Sequence, residues 1–360
     1  MDRLRGGRAD TPPAAPAAAA PSLSKPLVLR AAQPLVVPGR WWLAPMEGVT
    51  DPVFREFVIA RGGVGAACTE FVRLTHHPLP VRTLRRQLGP VRGPCPLALQ
   101  IMAAGSEHLA ASVEAARRAG ARWIDLNFGC PAPGVFRKCA GSALLEHPER
   151  IGEIVATAVR ASPLPVTAKI RAGVHSAARL REIVDAIADA GAAAIVLHAR
   201  LRTDRYTDPP HWAWIAEAKQ QLVRRGATIP LVGNGGIETV ADGERMRAET
   251  GCDAVMVGRG AIADPFLFRQ AAGGPAASRQ EAADFALRYA DAVRQRHGER
   301  AALARLKQLL RYYRAGDLVP DASTRRSLLR TASLSTLLSW LRERGREGDL
   351  ASRVDAEHAR

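Results

Sequence analysis

The chain has 360 residues, 47% of them hydrophobic and 24% charged, enough to bury a core in one large domain or two ordinary ones. No run is long and apolar enough to span a membrane, and the five cysteines (Cys68, Cys95, Cys130, Cys139, Cys252) make no disulfide framework or zinc spacing, so membrane and secreted scaffold classes are excluded and a reduced, cytoplasmic chain is expected. The 51 basic residues against 35 acidic ones leave a net charge of +16, which suits a polyanionic partner without identifying one.

Residues 1–38 are rich in Ala, Pro, Gly and Arg without apolar periodicity, the composition of a disordered tail. From Arg40 onward, short apolar runs bounded by Gly, Pro or Asn predict strands at Trp41–Ala44, Gly65–Phe71, Pro96–Ile101, Trp123–Asn127, Pro165–Arg171, Ala193–His198, Ile229–Asn234 and Ala254–Gly258. Amphipathic stretches between them predict helices at Ser106–Ala119, Pro148–Arg160, Ala177–Ala190, Trp212–Arg224 and Val240–Thr250. This alternation predicts an α/β fold, a TIM (β/α)8 barrel over residues 39–273, with a doubly wound sheet as the competitor. Beyond it only helical patterns remain, in Asp284–Gln295, Ala301–Arg314 and Ser323–Arg342. They predict an all-helical domain over 274–345, followed by a frayed tail at 346–360.

A TIM barrel collects its chemistry at the carboxyl ends of its strands. Here those ends read Pro45-Met46-Glu47-Gly48, Glu70, Gln100, Asn127 to Cys130, Lys169 with Arg171, His198 with Arg200, Asn234-Gly235-Gly236 and Gly258-Arg259-Gly260. Glycines in the last two loops would let backbone N–H groups approach a phosphate, with Arg259 adding a cation; ordinary βα turns explain either loop taken alone. Lys169 stands in an apolar strand, where an ammonium needs a partner, and both a Schiff-base nucleophile and a cation beside a reduced flavin meet that need. His198 closes a similar run, and Gln100 offers an amide suited to a heterocyclic ring edge. Glycine and proline hold Cys130 in a loop, where a thiol acts as nucleophile or general acid, or packs as a small apolar group.

The basic residues cluster. Arg73, Arg82, Arg85, Arg86 and Arg92 follow the second strand with no acid between residues 71 and 106, and the first four are expected to rim the barrel mouth. Lys307, Arg311 and Arg314 share a helix face, expected to contact nucleic acid, while Tyr312 and Tyr313 beside them suit stacking or a core equally.

Five segments, in order, carry a resemblance: Leu43-Ala44-Pro45-Met46-Glu47-Gly48-Val49-Thr50-Asp51, Asn127-Phe128-Gly129-Cys130-Pro131, Arg137-Lys138 to Leu145, Ala168-Lys169-Ile170-Arg171 and Met256 to Ala261. Together they make residues 41–345 resemble the tRNA-dihydrouridine synthases. The resemblance implies an FMN-binding barrel with a helical tRNA-binding domain, reducing the 5,6 double bond of uridines in the tRNA D-loop with NADPH or NADH as reductant. It implies a cytoplasmic monomer with no metal and no membrane contact. Residue by residue, Cys130 would protonate carbon 5 of uracil while hydride reaches carbon 6. Pro45, Met46, Gln100, Lys169, His198, Asn234, Gly235, Gly258 and Arg259 would hold FMN, and Asn127, Lys138, Arg171 and Tyr206 would surround the uracil. Thr69-Glu70-Phe71-Val72-Arg73 most resembles the bacterial subtype acting on position 16. This chain has His198-Ala199-Arg200-Leu201 where the family commonly has His-Gly-Arg-Thr. An FMN barrel acting on a free pyrimidine or other small molecule is the alternative, and a flavin-free RNA-binding or lyase barrel a third.

Overall fold

A hairpin comes first in the computed structural model, which describes residues 26–90 and 93–358. Strands β1 (Leu27–Leu29) and β2 (Leu35–Val37) pair antiparallel with Val28 opposite Val36. Period-two alternation turns Leu27, Leu29, Leu35 and Val37 inward onto Trp42, Trp123 and the small residues Ala66, Ala98 and Ala194 of the barrel interior. Residues 27–37 of the expected tail are therefore ordered, because four inward aliphatic side chains find an apolar floor to cover. The rest of that expectation, residues 1–25, lies outside the described residues.

Eight parallel strands then close on themselves: β3 (Trp41–Leu43), β4 (Ala66–Cys68), β6 (Leu97–Met102), β7 (Trp123–Phe128), β8 (Val166–Gly173), β9 (Ala194–Leu201), β10 (Leu231–Asn234) and β11 (Ala254–Val257), with β11 returning to β3 and β4 pairing with β6. The two-residue β5 (Val72–Arg73) pairs with β6 in parallel at Ile101 and Met102, farther along than β4. This is the TIM barrel, and the doubly wound alternative falls because the sheet has closed. Around it run α1 (Pro52–Ile59), α2 (Val81–Leu88), α3 (Leu109–Ala119), the short α4 (Pro133–Phe136), α5 (Pro148–Ala161), α6 (Leu180–Asp189), α7 (Ala213–Arg224), α8 (Val240–Thr250), α9 (Arg259–Ala263) and α10 (Leu267–Ala271). Strand residues facing these helices, such as Ile124, Leu126, Ile170, Leu197 and Val255, are fully buried aliphatics. Those facing inward are the ones that carry polar groups at the carboxyl end.

The helical region comprises α11 (Arg279–His297), α12 (Glu299–Leu310), α13 (Ala322–Arg330) and α14 (Leu334–His358). It is joined to the barrel by an aromatic seam: Tyr289 meets Phe54 edge-on at 5.8 Å and Phe57 at 5.9 Å between ring centroids, and Phe285 meets Phe57 at 5.8 Å. Arg305 of α12 reaches Asp51, the N-cap of α1, at 3.3 Å, so α12 is held beside the barrel mouth. Three boundaries depart from expectation. The run Ser323–Arg342 is two helices, because the Thr331 hydroxyl turns back to Ser327 O (3.1 Å) and Ser333 Oγ caps the next helix at Thr336 N (3.3 Å). The run Ala301–Arg314 stops at Leu310, where Arg325 donates to Leu310 O (2.5 Å) and Tyr313 O (3.0 Å). The last helix continues to His358 where a frayed tail was expected from 346. Among the described residues no helix is long and apolar enough to cross a membrane.

Candidate active site at the carboxyl end of the barrel

Parity along the strands assembles the site. Neighbouring residues in register share a face, and the pairs Gln100 with Asp125, Asn127 with Lys169, Arg171 with His198, and Asn234 with both His198 and Met256 all lie side by side. Polar residues from five consecutive strands thus point into one interior, beneath a cavity of about 1060 Å³. Pro45, Met46, Gln100, Asn127, Cys130, Lys169, Arg171, His198, Tyr206 and Arg259 all line it. Asn234, Gly235 and Gly258 line a smaller recess of about 110 Å³ that shares Met46, Lys169, His198 and Arg259 with the larger one. Of the expected site residues, Lys138 alone lines neither; it is exposed after α4.

Two hydrogen-bonded chains run across the floor. Lys169 Nζ donates to Asn234 Oδ1 at 3.2 Å, and Asn234 Nδ2 donates to Met256 O at 2.7 Å. Asp125 accepts from Gln100 Nε2 (2.7 Å) and Thr167 Oγ1 (2.5 Å), and Gln100 Oε1 accepts from Asn127 Nδ2 (2.8 Å). Asn127 Oδ1 in turn receives the backbone N–H groups of Gly129 and Cys130, each at 3.0 Å. Burial pushes the Asp125 carboxyl up, against the hydrogen bonds from Gln100 and Thr167, and pulls the Lys169 ammonium down, with Arg171 adding and Asp125 opposing.

The Cys130 loop is clamped from three sides. Besides the Asn127 bonds, Ser142 Oγ donates to Cys130 O at 2.8 Å and Arg171 Nε donates to Gly129 O at 2.9 Å. The thiol is half-buried on the cavity wall. Burial raises its pKa above the ordinary thiol range, Glu47 adds to the rise, and the Ala132 backbone N–H opposes it. A raised pKa favours the protonated thiol over the thiolate at neutral pH.

A further part of the lining is cationic. Tyr206 is 52% exposed and lies parallel to His198 at 6.3 Å, with Arg171 5.5 Å and Arg259 5.3 Å from its ring centroid. Burial holds His198 neutral, well below the usual histidine range, and Lys169, Arg171, Arg200 and Arg259 deepen the effect. Arg200 is 2% exposed; it bonds His198 Nε2 at 3.1 Å and Asp208 O at 2.7 Å, yet its buried Nε has no partner among the described residues. Four converging cations with an orphaned guanidinium N–H call for an anionic group, so these residues fit a phosphorylated ligand. Gly235 makes room there: its φ is +115°, and a Cβ would come within 2.9 Å of the His198 ring.

The helical region supplies the cavity's roof edge through Lys307, Gln308, Arg311, Tyr312 and Leu329. Arg314 departs from that face and pairs with Glu238 at 2.7 Å, and Tyr313 is a core residue whose hydroxyl donates to Ala282 O at 2.8 Å. Arg82, Arg85 and Arg86 sit on α2 outside the cavity, Arg85 donating to Arg118 O at 3.3 Å. Arg73 is half-buried on β5, and Arg92 lies outside the described residues. Sequence reasoning missed Asp125, Thr167 and the anchoring role of Ser142. The signal for the first two was parity, since each stands two residues before an inward polar residue of its own strand.

The family profile described as "Dihydrouridine synthase (Dus)" matches residues 42–336. A protein named tRNA-dihydrouridine(16) synthase from Cupriavidus necator is 42% identical over 236 residues, covering 63% of this chain and 72% of that protein. The protein of the same name from Aquipseudomonas alcaligenes is 35% identical over 283 residues, 74% of this chain and 88% of its own length. Among solved structures, histamine dehydrogenase from Rhizobium sp. 4-9 superposes with a TM-score of 0.55 at 16% identity, over 70% of this chain and 48% of that one, which marks a shared fold.

Proposed function

The chain belongs to the dihydrouridine synthase family, and on that premise we propose that it reduces the 5,6 double bond of a uridine in tRNA, with position 16 of the D-loop as its target. The observation that carries this reading is the Cys130 loop, anchored on the wall of a cavity that, with its adjoining recess, gathers Lys169, Arg171, Arg200 and Arg259 around His198. Such a site combines a proton donor with a seat for a phosphorylated cofactor. Lys169, His198, Asn234, Gly235, Gly258 and Arg259, with Pro45, Met46 and Gln100, would hold flavin mononucleotide, and Arg200 joins them. Bound flavin, reduced by NADPH or NADH, would supply hydride to carbon 6 of the base.

The chain's own residues do the rest. Cys130 keeps its proton at neutral pH and delivers it to carbon 5. Asn127, Arg171 and Tyr206 border the space beside it and hold the base in place, with Arg171 fixing both the Gly129 carbonyl and the Tyr206 hydroxyl. The target base must leave its stack to reach this depth. Lys307, Arg311 and Tyr312 stand where the tRNA around that base would pass, which makes the helical region the tRNA-binding surface, and Lys138, exposed outside the cavity, is suited to the tRNA backbone rather than the base.

The test is Cys130→Ala. The variant should retain flavin and its reduction by NADPH while dihydrouridine formation slows by about a hundredfold or more, the contribution of a general acid. Formation at the parent rate would return Cys130 to a packing role.

A further inference from the structure

The Cys130 loop is held by a relay that begins at a buried acid. Asp125 is 3% exposed and takes no part in the chemistry proposed above, yet its Oδ2 faces Gln100 Nε2 at 2.7 Å. Above its burial-raised pKa of about 6 the Asp125 carboxylate only accepts hydrogen bonds, so Gln100 must turn its NH2 toward Asp125 and its carbonyl toward Asn127. Asn127 must then turn its own NH2 to Gln100, at 2.8 Å, which leaves Oδ1 to accept the N–H groups of Gly129 and Cys130. Those backbone groups can only donate. The chain has a fixed acceptor at one end and fixed donors at the other, and the two amides between have one arrangement that satisfies both.

We infer that Asp125 is a positioning residue for Cys130, setting through Gln100 and Asn127 the hydrogen-bond polarity that anchors the Cys130 loop. The polarity, rather than the negative charge, is the operative property. The side chain's second oxygen meets Thr167 Oγ1, which also lies 3.5 Å from Ile124 O. A hydroxyl donates or accepts as needed, so in Asp125→Asn the amide keeps its carbonyl on Gln100 and gives its NH2 to Thr167. The meaning of the anchor for uridine reduction rests on the reading of Cys130 as proton donor; the anchor itself does not.

The relay can be inverted. In Asn127→Asp the new carboxylate confronts the Gln100 carbonyl, and while both carboxyls are ionised no rotation of Gln100 relieves it, because the opposite face meets Asp125. Adding Asp125→Asn reverses every link: the introduced amide donates to Gln100, Gln100 donates to the introduced carboxylate, and the loop N–H groups keep an acceptor. The measurement is the alkylation rate of Cys130 by iodoacetamide in the flavin-bound protein, read by peptide mass, on a Cys139→Ser background because Cys139 is exposed. It is run at mildly alkaline pH, which favours the ionised form of both carboxyls. Asn127→Asp should free the loop and speed labelling about tenfold, the effect of one frustrated buried contact. Asp125→Asn alone, and the double variant, should label within about threefold of the parent, as expected when each buried polar group keeps a partner. If Asn127→Asp does not fold, recovery of folded, flavin-bound protein in the double variant is the supporting result. A double variant no better than Asn127→Asp, an unchanged rate in Asn127→Asp, or Asp125→Asn labelling as fast as Asn127→Asp each overturns the inference. Cys130→Ala at full activity would overturn the proton-donor reading while leaving these labelling rates as they are.

Discussion

Arg171→Lys isolates what a fork of donors contributes that a point charge does not. Arg171 is 2% exposed, and its three nitrogens reach three separate acceptors: Nε to Gly129 O at 2.9 Å, Nη1 to Leu201 O at 2.8 Å and Nη2 to Tyr206 Oη at 3.1 Å. A lysine ammonium keeps the charge but from one position serves one of these acceptors. Two charge-assisted bonds are lost at about 1.5–3 kcal/mol each, and because the acceptors border an open cavity the lower end applies, for a total of about 3 kcal/mol. Urea unfolding followed by circular dichroism reads this loss directly. Part of it falls on the Gly129 carbonyl, so dihydrouridine formation should drop even where the variant stays folded. A loss under about 0.5 kcal/mol, the size of an ordinary surface substitution, would refute the idea that Arg171 ties the strand end, the Cys130 loop and Tyr206 together.

Three further outcomes follow from the same geometry. Gly235→Ala should cost about 1–3 kcal/mol in backbone strain and lower flavin retention, since its φ is +115° and its Cβ would displace the His198 ring; unchanged flavin absorbance after purification counts against that placement. Burial raises the Cys130 pKa, so the proton-bearing form persists through neutrality and is lost only above the ordinary thiol range; the rate of uridine reduction should be flat across neutral pH and fall on the alkaline side, and a decline setting in below neutrality as pH rises would assign the proton to another group. Lys307→Glu and Arg311→Glu should weaken tRNA binding and reduce its logarithmic salt dependence by about one unit for each phosphate contact removed, measured by filter binding at several salt concentrations; an unchanged slope would place the tRNA elsewhere.

The barrel was readable because its strands are buried on both faces and so stand out as apolar runs between Gly, Pro and Asn. The carboxyl-end residues were readable for the complementary reason that Gln100, Lys169, His198 and Asn234 interrupt those runs at inward positions near their carboxyl ends. Asp125 and Thr167 were harder, since they lie one inward step deeper, where parity marks the face but only the three-dimensional register shows Thr167 bonded to Asp125 and Asp125 to Gln100. The hairpin at Leu27–Val37 escaped because three-residue strands carry little periodic signal beside a Pro- and Ala-rich stretch. Charge misled in two places. Arg82, Arg85 and Arg86 follow a strand's carboxyl end in sequence but are carried by α2 to the outer surface, and Arg314 shares helical spacing with Lys307 yet lies past the end of α12, where Glu238 takes it. Spacing reports a helix face only while the helix continues.

The most direct test combines the purified protein, its flavin, NADPH and tRNA lacking dihydrouridine, and follows NADPH oxidation alongside mass mapping of the tRNA. Uridine reduction at position 16 of tRNA requires that oxidation depend on the tRNA, that one dihydrouridine appear for each NADPH consumed, and that it appear at position 16 while free uracil and uridine are inert. NADPH oxidation driven equally well by a free pyrimidine, with the tRNA left unchanged, would contradict it.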